Sequence, residues 1–329
     1  MLLLTTRAWQ SINRHIPKNM KRLLESNRLI LLEAAVVEQL RRSTDIHLHK
    51  SLVNAPLIYD KAGSQALVKL YQDYIDSALE AAVPFLMCTP TWRANHARVS
   101  GSGINPSINS DAAQFMRRLR NTPRNIHATI KIGGMIGCKN DCYQPSEGLT
   151  TGESEHFHAW QIDQLVQGDI DFLIAVTLPN VDEAIGIAKA MAQTGMPYII
   201  SFVINRSGDV LDGTHLYDAI CRIDSETKQN PVGYMVNCSY PTFLSPEQQP
   251  ASLFSRLIGF QANASSLDHC DLDDADQLQA EHISVWGQAM LALNRDYGIK
   301  ILGGCCGTSV EHLRYIANMK QPSPSSDTI

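Results

Sequence analysis

The stretch from Phe172 to Val203 reads FLIAVTLPNVDEAIGIAKAMAQTGMPYIISFV, and its reading decides the fold. It opens with a short aliphatic and β-branched run, Phe172 to Val176. After a Pro-Asn break, Val181 to Thr194 carries apolar residues at helical spacing, and Tyr198 to Val203 is a second short apolar run. Strand, helix and strand in that order make a βαβ unit, whose two strands pair in parallel.

Outward from this unit the same rhythm runs through most of the chain. Further candidate strands are Leu29 to Leu32, Val83 to Cys88, Ile126 to Ile132, Val232 to Asn237, Leu257 to Gln261 and Ile299 to Leu302, which brings the number to eight. Helical patterns lie between them at Leu67 to Ala82, Ala112 to Arg120, His156 to Gln167, His215 to Asp224 and Glu281 to Tyr297. Eight strands with interleaved helices predict an α/β fold closed as a single (β/α)8 TIM barrel. The rival, an open doubly wound sheet, lacks its usual nucleotide signature, because no G-x-G-x-x-G follows the first strand. The expected organisation is an N-terminal extension over residues 1–28, the barrel over 29–319 and a flexible C-terminal tail over 320–329. Ser245 to Pro250 and the acidic Asp268 to Asp276 read as loops after the sixth and seventh strands.

Composition narrows the function classes. A hydrophobic fraction of 44% with 19% charged residues allows a substantial core, and a net charge of −5 gives no footprint for nucleic acid. No apolar run is long enough to cross a bilayer, so a membrane span is not expected. Eight scattered cysteines, two of them adjacent, fit reactive or metal-binding thiols in a reducing compartment better than structural disulfides. A cytoplasmic location is therefore expected. The start of the chain qualifies it: Arg7, Arg14, Lys18, Lys21 and Arg22 all precede the first acid, Glu25. Such a segment reads either as a surface arm before the barrel or as a transit peptide, which would make the location mitochondrial.

The chemistry concentrates in Ile301-Leu302-Gly303-Gly304-Cys305-Cys306-Gly307-Thr308, where an apolar strand runs into a glycine-rich turn. Adjacent side chains on a strand point to opposite faces, so Cys305 and Cys306 can face one ion only if the backbone leaves strand geometry, which the flanking glycines permit. A third thiol, Cys238, follows the apolar run ending at Asn237, 67 residues upstream of the pair. Strands six and eight of a barrel open on the same mouth, where barrel active sites form. Three thiolates there would leave a tetrahedral Zn2+ with one open position, the arrangement of a catalytic site. A free thiol with a pKa of about 8.5 is mostly protonated at neutral pH, and zinc removes that limit for a fourth, incoming sulfur. The expected reaction is displacement of a methyl group from a cationic donor onto that sulfur. The competing readings are an inert buried thiol pair and a strained vicinal disulfide. Cys88, Cys138, Cys142, Cys221 and Cys270 read as background, and the pairs His47/His49 and His156/His158 as surface histidines.

With these residues in view, the chain from about Leu29 to Asn318 resembles the homocysteine S-methyltransferase family. That family's zinc triad is carried by an Asn-Cys segment and a Gly-Gly-Cys-Cys-Gly segment, matched here by Asn237-Cys238 and Gly303 to Gly307. Weaker matches are Thr89-Pro-Thr-Trp-Arg-Ala-Asn95 after the second strand, Gly134-Met-Ile-Gly137 as a turn after the third, Leu178 to Ala184 after the fourth, Asp212-Gly-Thr214, and Gln261-Ala-Asn-Ala-Ser265 after the seventh. The resemblance implies methyl transfer to the sulfur of homocysteine, giving methionine. The implied roles put Cys238, Cys305 and Cys306 on zinc and Glu33 at the acceptor's polar head, with Thr89 and Asn237 lining the mouth.

The chain departs from the family at the amino-group end. After the first strand the family has an aspartate followed by small residues and glycine, where this chain has Glu33-Ala34-Ala35-Val36-Val37-Glu38. The glutamate that the family carries at the end of strand four is Val176 here. Losing a carboxylate that pairs with an ammonium removes about 1.5 to 3 kcal/mol. Two expectations follow: the acceptor is a small thiol other than homocysteine, or another acid such as Glu38 takes over. A zinc-holding barrel without catalysis, serving regulation, is the rival from another class. The partners expected are a small-molecule thiol and a methyl donor; the donor and the oligomeric state are not legible.

Overall fold

The computed structural model describes residues 18–267 and 280–318. The acidic segment Asp268 to Asp276 and the tail over 320–329 lie outside the described residues. The strands are β1 (Ile30–Leu32), β2 (Phe85–Cys88), β3 (Ile130–Gly137), β4 (Phe172–Leu178), β5 (Tyr198–Phe202), β6 (Gly233–Asn237), β7 (Leu257–Ala262) and β8 (Ile301–Gly304). Each pairs in parallel with the next, and β8 closes on β1 with Ile30 opposite Ile301 and Leu31 opposite Leu302. The fold is a single (β/α)8 barrel.

Strands covered on both faces explain the apolar runs. Ile30, Leu32, Phe172, Ile174 and Val176 belong to the cluster inside the barrel, while Leu31, Leu173 and Ala175 pack outward against the helices. Helix α1 (Lys18–Ser26) adds Met20 and Leu23 to the interior cluster, and the Lys300 ammonium donates to the carbonyl of Leu24 at 2.6 Å.

After β1 comes the short α2 (Val37–Arg41), then α3 (Lys61–Glu80), α4 (His96–Ser100), α5 (Ile108–Arg120), α6 (Thr151–Gln167), α7 (Val181–Gln193), α8 (Leu216–Glu226), α9 (Ile283–Tyr297) and α10 (Val310–Asn318). Helix α3 starts six residues and α6 five residues ahead of their apolar patterns, because polar caps set helix starts. Asp60 Oδ2 accepts the N–H of Gly63 at 2.6 Å, and Thr150 with Glu153 forms a capping box.

The third strand lies four residues later than its apolar run suggested. Ile126 is 61% exposed, and β3 continues through Gly133, Gly134 and Gly137. The glycines at 134 and 137 therefore stand in the strand and not in a turn. All three are there for close packing: a Cβ on Gly133 would lie 2.6 Å from the Phe172 ring, one on Gly134 2.5 Å from Ile170, and one on Gly137 2.4 Å from Trp92. Leu178 likewise ends β4 and does not open the following loop.

Candidate active site

Three sulfurs converge at the C-terminal mouth of the barrel. Cys238 is the first residue beyond β6 and adopts φ +53°, a left-handed conformation that costs a non-glycine residue about 1 to 3 kcal/mol. Its own N–H is held by the carbonyl of Gln261 at 3.2 Å. Cys305 and Cys306 follow the end of β8 and leave strand geometry at once: the N–H of Cys305 donates to the Ala262 carbonyl at 2.7 Å, and Thr308 turns back to donate its hydroxyl to the Cys305 carbonyl at 2.6 Å. Only glycine fits at 304, where a Cβ would meet Thr308 Oγ1 at 2.2 Å. The three Sγ atoms lie within 4.8 Å of one another, with 2.7 Å between those of Cys238 and Cys305.

The three thiols and Asn237 share one hydrogen-bond network. Asn237 Nδ2 donates to Cys238 Sγ at 3.4 Å, and its carbonyl oxygen accepts from the N–H of Thr177 at 2.9 Å and the hydroxyl of Ser201 at 2.7 Å. This amide therefore locks the sulfur to β4 and β5. Cys306 is held well below the usual thiol range by hydrogen bonds from Cys238 and Cys305, aided by the charge of Arg41. Cys238, donating to both neighbours in a buried position, is pushed up. Cys305 is pushed up as well, against the lowering effect of its hydrogen bond from Cys238, by its bond to Cys306 and by burial, so the thiolate form is favoured at Cys306 alone among the three.

The sulfurs open into a cavity of about 750 Å³, which Glu33, Thr89, Val176 and Asn237 also line. Glu33 is 3% exposed, and its Oε2 accepts the N–H of Cys88 at 2.6 Å. Burial raises its carboxyl to about 8, against the lowering effect of the Cys88 N–H. Thr89 is committed to the scaffold: its Oγ1 accepts the N–H of Met135 at 2.9 Å and pairs with Thr91 Oγ1 at 2.7 Å. Glu38, the suggested replacement acid, is engaged with the N–H of Gly307 and with Arg42. Gln39 Nε2 donates to the Thr308 carbonyl at 2.8 Å, so the segment after β1 grips the turn that carries the adjacent cysteines.

Several contributors were not legible beforehand. Cys142 and Tyr143, from the loop after β3, line the cavity, and both feel the charge of Cys306. Burial, the largest cause, pushes the Cys142 thiol up to about 12. Asn263 lines the cavity too, and its buried Oδ1 has no hydrogen-bond partner among the described residues. The Gln261 to Ser265 segment pointed toward it without assigning the side chain a task. The reading of His158 as a surface residue is overturned. It is fully buried, with Nε2 3.0 Å from Glu183 Oε1. That carboxylate also accepts the N–H groups of Lys139 at 2.8 Å and Leu149 at 3.3 Å, pinning both ends of the loop that bears Cys142 and Tyr143. His156 is exposed, as expected.

The donor set fits a thiophilic divalent ion: three thiols within reach of one point, an amide hydrogen bond on one of them, and a buried oxygen at Asn263 without a partner among the described residues. A closed parallel barrel with converging thiols above a cavity that ends on a buried acid defines an enzyme that handles a substrate thiol. The model of the homocysteine S-methyltransferase family matches residues 30–319, so the chain belongs to that family and is a thiol S-methyltransferase. Among relatives, the homocysteine S-methyltransferase YbgG of Bacillus subtilis is 22% identical over 320 residues, covering 90% of this chain and 95% of that protein. An S-methylmethionine–homocysteine S-methyltransferase of Rattus norvegicus is 23% identical over 210 residues, 59% of this chain and 56% of that protein. The metallated form of the Escherichia coli homocysteine methyltransferase MmuM superposes with a TM-score of 0.71 at 18% identity, covering 91% of this chain and 99% of that one. At that identity the likeness speaks for the fold alone. Among the described residues no helix is long and apolar enough to cross a membrane.

Proposed function

We propose that this chain moves a methyl group from a cationic donor to the sulfur of homocysteine, giving methionine, with zinc held by Cys238, Cys305 and Cys306. The observation that carries the reading is the meeting of these three sulfurs within 4.8 Å at the mouth of the cavity. A bound zinc ion would supply the means of holding the acceptor sulfur as a thiolate at neutral pH.

The remaining work falls to the chain's own residues. Asn237 and the Gly304 to Thr308 turn hold the protein sulfurs in place, so little reorganisation accompanies binding. Glu33 meets the acceptor's ammonium as a carboxylate, its proton and that of the acceptor thiol passing to solvent. Trp92, Met135 and Val176 make an apolar wall that limits water around the reacting sulfur. The methyl carbon forms its new bond to the acceptor sulfur as its bond to the donor breaks, and the bonding pair stays on the donor, whose cationic sulfur or nitrogen becomes neutral. S-methylmethionine and betaine are the donors named for the relatives, and S-adenosylmethionine is the third candidate. The catalytic unit in this reading is residues 29–319, working in the cytoplasm on small molecules.

Val176 supports a second reading, in which the acceptor is a different small thiol. A donor-by-acceptor matrix on zinc-loaded protein, with products identified by mass, tests both. Methionine formation from homocysteine is the expected result. Methylation of another thiol in preference supports the second reading, and metal binding without any methyl transfer overturns both.

A further inference from the structure

Among the described residues that line the cavity, two side chains carry a permanent positive charge, Arg41 and Arg42. Arg42 is committed, because its guanidinium pairs with Glu38, whose other oxygen takes the N–H of Gly307. Arg41, the last residue of α2, has no ion-pair partner among the described residues and stands exposed at the rim. It lines the same cavity as Glu33, Cys305 and Cys306.

From this distribution of charge we infer that Arg41 binds the carboxylate of the acceptor thiol. The inference rests on the proposed methyl transfer to an amino-acid thiol. Such an acceptor carries its ammonium and carboxylate on one carbon, a few bonds from the sulfur. With the sulfur at the cysteines and the ammonium at Glu33, the carboxylate needs a donor outside the apolar wall made by Trp92, Met135 and Val176. Glu33 and Arg41 sit on the same segment after β1, the first buried and the second at the mouth, so that segment presents an acid and a base to the two charged groups of one zwitterion. A guanidinium suits the task, since its parallel N–H groups match the two oxygens of a carboxylate.

The experiment compares homocysteine with 3-aminopropane-1-thiol, which lacks only the carboxylate, on zinc-loaded wild-type, Arg41→Ala and Arg41→Lys protein. Because Arg41 is exposed, the Arg41→Ala protein is expected to raise KM for homocysteine by about fivefold, with kcat little changed. The amine thiol should keep its KM, and the Arg41→Lys protein should fall between the two. Equal loss for both thiols, a change in kcat alone, a rise confined to the donor's KM, or no change at all overturns the inference. Calorimetric binding of the same two thiols gives the same comparison without turnover. A loss of homocysteine binding of about fivefold in Arg41→Ala, with the amine thiol unaffected, supports the role of Arg41 even if no methyl transfer is found, in which case only the proposed reaction fails.

Discussion

The carboxylate of Glu38 accepts the backbone N–H of Gly307, and with the Gln39 to Thr308 bond it joins the segment after the first strand to the turn that holds Cys305 and Cys306. Groups that orient metal ligands from outside typically contribute 10- to 100-fold to affinity, roughly the range expected here. Zinc affinity should fall by about that factor in Glu38→Ala, measured by competition with a chromophoric chelator, while the far-UV circular dichroism stays that of the wild type. Glu38→Gln keeps an acceptor oxygen and should lose less. An unchanged affinity in Glu38→Ala would remove the clasp from the account.

Loss of any one of the three converging thiols should be more severe than loss of the clasp. Replacement of Cys238, Cys305 or Cys306 by Ser is expected to lower metal affinity by more than about 100-fold and to abolish methyl transfer. The Cys142→Ser protein should bind one equivalent of metal as the wild type does, because its sulfur is not among the three that lie within 4.8 Å of one another. Metal analysis after dialysis distinguishes the two outcomes.

The buried Glu33 makes stability depend on pH. Its carboxyl titrates near 8 in the folded chain, against 4.5 when unburied, so between these values the folded state holds a proton that the unfolded state has released. Stability therefore falls as pH rises through this window, and the whole penalty is present above pH 8. Glu33→Gln removes it. The variant should match the wild type near pH 4.5 and exceed it by a growing margin toward pH 9, as read by urea denaturation of the ligand-free protein. A flat difference between pH 5 and 9 would contradict the assignment.

An acid at position 176 offers a second partner to the acceptor's ammonium. Val176→Glu should tighten homocysteine binding by about tenfold, while Glu33→Ala should weaken it by a similar factor. If both substitutions leave homocysteine affinity unaltered, the ammonium does not sit between strands β1 and β4.

The Glu183 carboxylate and the imidazole of His158 are both essentially excluded from solvent, and the same carboxylate holds Lys139 and Leu149. Glu183→Ala leaves these donors without a partner and should cost about 3 to 5 kcal/mol of stability. Hydrogen exchange should rise across residues 138–150 before it rises elsewhere. Retained protection in that loop would show that Arg93, which donates to the carbonyls of Cys138 and Asn140, suffices alone.

What could be read from the chain beforehand depended on local periodicity. A strand covered on both faces is largely apolar, so the strands were visible as runs, the third displaced by four residues, and the Gly-Gly-Cys-Cys-Gly string announced a turn bearing two sulfurs. Those signals lie within a few neighbouring residues. The late start of β3, the burial of His158, the engagement of Glu38 with Gly307 and the arrival of Cys142 and Tyr143 beside the cysteines carry no such local mark. Each depends on groups far apart in the chain: the Phe172 ring against Gly133, a carboxylate 25 residues from its histidine, a backbone N–H 269 residues from its acceptor. The amino-acid order by itself determined the barrel and the sulfur-bearing turns, because backbone period and glycine placement act over short range. Only closure of the barrel decided which polar groups were left free to meet a substrate, because hydrogen-bond partners and desolvation are assigned by packing between distant segments.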